Sequence, residues 1–208
     1  MEELNKYFNP SCDGTPQAAY LKELGSKEVQ GGICLHLVIA WLHFYKKANL
    51  SKAPNVIWQE MKTPTTIKQI ANNHRAYHEA FKENDSKNLP TLIYVRENVA
   101  AYTNINVITE DETPFDYAVL GDNIVTHLEY SSMQILGITL RENDATEDTG
   151  GHALGIIKHD DGYFYLFDPN IGVLRATEED LEGLLHAIQL FYQDCGVQIT
   201  SCKIYNIA

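Results

Sequence analysis

Apolar residues crowd every side of the stretch from Ile33 to Tyr45, interrupted only by His36 and His43. That pattern predicts a helix from about Cys34 to Lys47 that is buried all round rather than amphipathic. Gly31 and Gly32 stand before it and suit a tight turn that bulkier residues resist. Upstream, a helix is predicted from about Pro16 to Leu24, ended by Gly25. Downstream, Pro54 opens a helical piece that runs through Met61. Thr65 and Thr66 then cap a longer helix on which Ile67, Ile70, Ala71, His74, Tyr77 and Phe81 recur at helical spacing. A further helix from about Thr91 to Tyr102, a short strand over Asn106–Ile108 and a helix from about Thr113 complete the first part of the chain.

From Ser132 the period shortens. Met133 to Leu140 reads as a strand, and Glu142 to Thr149 as a polar, acidic loop ended by Gly150-Gly151. His152–Lys158 and Tyr163–Asp168 are two strands joined across Asp160-Asp161-Gly162, a three-residue hairpin signal with Gly last. Thr177-Glu178-Glu179-Asp180 starts a helix in capping-box fashion, with Leu181, Leu184, Leu185, Ile188 and Phe191 on one face. Val197 to Ile207 makes a last strand. The expected class is α+β. A single domain spans 1–208, with a helical lobe over about 1–130 and an antiparallel sheet lobe over about 131–208.

Composition narrows the field without naming a function. Of 208 residues 44% are hydrophobic, which is ordinary for a globular chain. No segment approaches the roughly 18 consecutive apolar residues of a membrane helix, and Met1-Glu2-Glu3-Leu4-Asn5-Lys6 lacks the basic and apolar regions of a Sec-type signal. A net charge of −12 argues against nucleic acid and anionic lipid as partners and suits a basic peptide better. The four cysteines, Cys12, Cys34, Cys195 and Cys202, show no Cys-x-x-Cys pair and resemble neither a disulfide framework nor a zinc site. His74 and His78 stand four apart, but no glutamate follows the first and no third ligand is evident; they read as the edge of a packed helix. No metal and no cofactor is expected, and nothing in the sequence sets an oligomeric state.

Cys34 falls at the start of the apolar helix, where unpaired N–H groups and the positive end of the dipole favour a thiolate. A buried structural cysteine is an equal reading of that stretch alone. Cysteine catalysis also needs a base and a group that orients it, and Gly150-Gly151-His152-Ala153 and Phe167-Asp168-Pro169-Asn170-Ile171-Gly172 offer both. If the hairpin loop has three residues, His159 pairs with Tyr163, His152 faces Asn170 and Asp168 faces Leu154. The pleat then turns His152 and Asp168 to one face as diagonal neighbours, about 7–8 Å apart at Cα, a gap that a ring and a carboxylate can bridge. A two-residue loop would put them on opposite faces.

These stretches carry a resemblance. Gly-Gly-Ile-Cys34 with Trp41 seven residues on, Gly-His152-Ala and Phe-Asp168-Pro-Asn-x-Gly172 closely resemble the YopT-like family of bacterial effector cysteine proteases, within the papain-like clan. The three motifs run in the family's order from Gly31 to Gly172 and leave most of the helical region unmatched. The resemblance implies a papain-like fold, with Cys34 as nucleophile, His152 as general base and Asp168 as orienting acid. It further implies secretion without a Sec signal, action in the host cytoplasm and cleavage of a host protein, a known substrate class being Rho-type GTPases with basic, prenylated tails. Papain-like enzymes carry a polar oxyanion-binding side chain shortly before the cysteine. Gln30, four residues upstream, is the candidate here, and a solvent-facing turn residue is its equal alternative. The same triad also serves glutamine deamidases, transglutaminases and acyltransferases, and an interaction module with a relict site is the non-enzymatic alternative.

Overall fold

In the computed structural model, residues 3–7, 33–83, 107–128 and 132–207 are described, with side chains of 77–83 and 107–114 left aside. Gln30, the Gly31-Gly32 turn, Cys12 and the helices expected over 16–24 and 91–102 lie outside them. Helix α1, Cys34–Lys47, buries His36, Leu37, Val38, Ile39, Trp41, Leu42 and Tyr45, as its all-round apolar pattern requires. Helices α2, Pro54–Met61, and α3, Pro64–Glu83, follow it. The α3 start differs from expectation. Thr63, not Thr65 or Thr66, is the cap, its Oγ1 accepting from the Thr66 N–H at 3.2 Å, so that Pro64 takes the first helical position, where its missing N–H costs nothing.

A six-stranded sheet forms the body, in the order β1-β6-β2-β3-β4-β5. The strands are β1, Val107–Pro114; β2, Met133–Glu142; β3, Gly150–Lys158; β4, Phe164–Asp168; β5, Gly172–Ala176; and β6, Val197–Ile207. Every neighbouring pair is antiparallel. Two of these strands depart from the sequence reading. β1 runs through Glu110-Asp111-Glu112 to Pro114, where a short strand and then a helix were expected. At a sheet edge, charged residues and a terminal proline are tolerated and discourage further pairing. The helix that follows, α4 at Tyr117–His127, begins where Asp116 accepts from the Ala118 and Val119 N–H groups. β5 was not anticipated.

Alternation along the central strands divides the interior in two. On one face Met133, Ile135, Ala153, Ile157, Tyr165 and Phe167 pack against Leu37, Trp41 and Trp58 of α1 and α2. On the other, Leu136, Ile138, Leu154, Ile156, Phe164 and Leu166 meet α4 and α5, Leu181–Asp194. Strands apolar on both sides are what a sheet covered on both faces needs. α1 approaches the sheet at Gly155, where a Cβ would come within 3.0–3.1 Å of the Trp41 ring and of Val38. A side chain there would require the Trp41 ring or Val38 to give way by a few tenths of an ångström. Trp41 Nε1 donates to the Pro54 carbonyl at 3.0 Å, tying α2 to the same junction.

Candidate active site

β3 and β4 pair Gly155 with Phe167, Ile156 with Leu166, Ile157 with Tyr165 and Lys158 with Phe164. Around Asp160-Asp161-Gly162, the His159 N–H donates to the Tyr163 carbonyl at 2.9 Å and the Gly162 N–H to the His159 carbonyl at 3.0 Å. This is the three-residue loop read from the sequence, and its register turns His152 and Asp168 to the α5 face together. They meet there: His152 Nε2 lies 2.8 Å from Asp168 Oδ1. Both side chains are buried, Asp168 completely.

The chain after Asp168 folds back to serve it. The Asn170 N–H donates to Asp168 Oδ1 at 2.7 Å, and the Ile171 N–H to the Asp168 carbonyl at 3.0 Å. Gly172 completes the turn with φ +125, a backbone angle that L side chains rarely adopt, and starts β5 opposite Asp168. The Asp-Pro-Asn-x-Gly run is therefore a device that leaves one strand, caps its last carboxylate and enters the next.

Cys34 is partly exposed at the first position of α1, and no side chain caps that helix. Its thiol interacts with His152 and with the backbone at Ala153 and Leu35. Burial acts to raise its pKa, but the hydrogen bond and charge of His152, and then those backbone groups, outweigh burial and hold the thiol below its ordinary value. For His152 burial favours the neutral ring; the charge and hydrogen bond of Asp168, with Cys34 adding to them, overcome this and raise it to about 10. With Nε2 on Asp168, Nδ1 is the nitrogen that remains for the thiol. The structure thus brings Cys34, His152 and Asp168 into one connected set.

Tyr192 escaped the sequence reading, and Asn170 was read there only as part of the Asp-Pro-Asn-x-Gly motif. Tyr192 of α5, 4% exposed, donates its hydroxyl to Asp168 Oδ2 at 3.0 Å, and its ring centroid lies 5.9 Å from that of His152. Asn170 Nδ2 donates to the same hydroxyl at 3.2 Å. Burial first, and then the Asp168 charge, raise the Tyr192 phenol, so it stays neutral. Tyr192 stands four residues after Ile188 and continues the buried face of α5, whereas Phe191 is only half-buried. That spacing marks Tyr192 as buried but does not say that it faces a carboxylate. The other described cysteines are placed differently: Cys195 is exposed, and burial pushes the Cys202 thiol up to about 12.

No family model matches the chain, and no curated protein matches it. Among solved structures, the Pseudomonas avirulence protein AvrPphB matches over 88% of this chain and 95% of its own, with a TM-score of 0.65 and 16% identity. PatoxP, a cysteine protease-like domain of the Photorhabdus asymbiotica toxin PaTox, matches over 97% of this chain and 55% of its own, with a TM-score of 0.46 and 16% identity. The chain has the fold of AvrPphB, the papain-like arrangement that the YopT-like resemblance of its sequence implies.

Proposed function

We propose that this chain is a YopT-like thiol protease, a secreted effector that cleaves a host protein in the host cytoplasm, with Cys34 as nucleophile, His152 as base and Asp168 as orienting acid. One observation carries the reading: a buried histidine joined to an aspartate at 2.8 Å through Nε2 and interacting with a helix-terminal cysteine, on the AvrPphB fold. His152 Nδ1 takes the Cys34 proton, and the thiolate attacks the carbonyl carbon. The oxyanion is met by the Cys34 backbone N–H at the uncapped start of α1, with Gln30 as the second donor. The C–N bond then breaks as His152 returns the proton to the leaving amine. Water, activated by the neutral ring, hydrolyses the thioester and restores the thiol.

The test is to map new protein N-termini in host cells exposed to the wild type and to Cys34→Ala. Termini that appear only with the wild type support proteolysis. Their absence, with intact mass instead showing the one-dalton gain of deamidation or an added group on a protein, moves the same triad to a deamidase, transglutaminase or acyltransferase.

The pH dependence follows from the two shifts. The working pair needs Cys34 deprotonated and His152 protonated. Its population rises with pH through the lowered thiol range and falls as His152 loses its proton near 10. Alkylation by iodoacetamide at pH 6 is expected to mark Cys34 ahead of Cys195 and Cys202, read by peptide mass spectrometry. Equal labelling of Cys34 and exposed Cys195 at that pH would argue against an ion pair.

The acidic loop supports a preference for basic substrate. Glu142, Asp144, Glu147 and Asp148 are exposed on the segment that enters β3 two residues before His152. The loop is closed by the Thr149 N–H on the Leu140 carbonyl at 2.8 Å, and Asp148 is already paired with Arg141 at 3.0 Å. Replacing Glu142, Asp144 and Glu147 by amides is expected to lower kcat/KM several-fold on a peptide with Lys or Arg beside the cut, and less at high salt. A neutral peptide should be little affected. Equal losses on both peptides, independent of salt, would exclude a role in selection.

A further inference from the structure

The carboxylate of Asp168 is held on both oxygens, and only one of them is held by the turn that carries it. Oδ1 receives His152 Nε2 and the Asn170 N–H. Oδ2 receives the Tyr192 hydroxyl, which arrives from α5, a separate element of the second core. The aspartate χ2 torsion is broad and does not fix the carboxylate plane by itself. Asp168 is fully buried, so the loss of a donor to its carboxylate is costly.

We propose that Tyr192 is a positioning residue for the reaction: its hydroxyl on Oδ2 pins the Asp168 carboxylate so that Oδ1 stays directed at His152. The inference rests on the catalytic role proposed for His152 and Asp168. Asn170 is the second part of the device. Its side-chain amide donates to the Tyr192 oxygen and so orients the hydroxyl hydrogen toward Asp168. Removing the hydroxyl strands two groups at once, Oδ2 as an acceptor and the Asn170 amide as a donor. They satisfy each other if the carboxylate rotates toward Asn170, and that rotation draws Oδ1 away from the ring. His152 then holds its proton less firmly, and the thiolate of Cys34 loses part of its counter-ion.

The test uses Tyr192→Phe, which keeps the ring and deletes only the oxygen. The primary readout is the rate of Cys34 alkylation by iodoacetamide across pH, because it needs no substrate and no peptide hydrolysis. The expected result is that the alkaline limb of the ion pair moves down by about one pH unit. On the cleaved substrate kcat should fall about tenfold with KM unchanged. Asn170→Ala should move both in the same direction by less, and the double variant should fall short of the sum of the two. A merely structural tyrosine would lower the thermal midpoint and leave the alkylation profile in place, and that result overturns the proposal. If Cys34 of the parent protein alkylates as a free thiol does, the ion pair itself is wrong and the proposal falls with it. A normal parent profile left unmoved by Tyr192→Phe overturns the role of Tyr192 alone.

Discussion

Cys34→Ala is expected to abolish turnover, by at least about 10⁴-fold, while the protein stays folded. Cys34 is the only thiol among the described residues that interacts with a histidine and is held below its ordinary pKa. Stability should be nearly unchanged, because the side chain is partly exposed at the first position of α1 and the buried face of that helix begins at His36 and Leu37. Thermal unfolding and single-turnover kinetics together check this. Undiminished turnover in a folded Cys34→Ala protein would end the covalent mechanism.

Asp168→Ala should be the most disruptive single change at the site, because it damages fold and chemistry together. It leaves three donors facing a cavity: the His152 ring, the Asn170 N–H and the Tyr192 hydroxyl. Buried groups stripped of their partner cost about 1–3 kcal/mol each, so a loss of roughly 3 kcal/mol or more is expected, with kcat down by about 10³-fold or more. Asp168→Asn should be milder on both counts. The Asn170 N–H demands an oxygen at Oδ1, so the new amide is held with its oxygen toward His152 and its NH₂ toward Tyr192, which then has to accept. The negative charge is gone, however, and that charge is the largest influence raising His152. Its alkaline limb therefore moves to lower pH. Chemical denaturation and the pH profile of kcat/KM measure the two effects. Equal losses in the alanine and asparagine variants would mean that the carboxylate does not orient the ring.

Where a segment's own residues decide its structure, the sequence was readable. α1, α2 and β6 end where hydrophobic period, Pro54 and the strand pattern put them. The hairpin loop allowed a contact between residues sixteen apart to be derived, because a strand's period converts register into facing. Structure set by a distant partner was not readable. The acidic residues of β1 look like a loop or helix start until β6 is known to lie beside them. The expected helix start at Thr177 is instead a turn, in which Thr177 Oγ1 donates to Asp180 Oδ2 at 2.9 Å and Leu181 begins α5. The spacing of Tyr192 marks it as buried, but its contact with Asp168 depends on which sheet face α5 covers.

The position of β6 in the sheet bears on when the protein can begin to work. It is the last strand in the described chain, yet it lies inside the sheet between β1 and β2, paired with both. A ribosome that has reached Asp194 has already translated Cys34, His152, Asp168 and Tyr192, but β1 still has no neighbour and β2 has only β3. Pairings this distant in sequence close late and slowly. The growing polypeptide thus has its candidate site residues before it has the strand that joins β1 to β2, and this sheet becomes continuous only when β6 is in place.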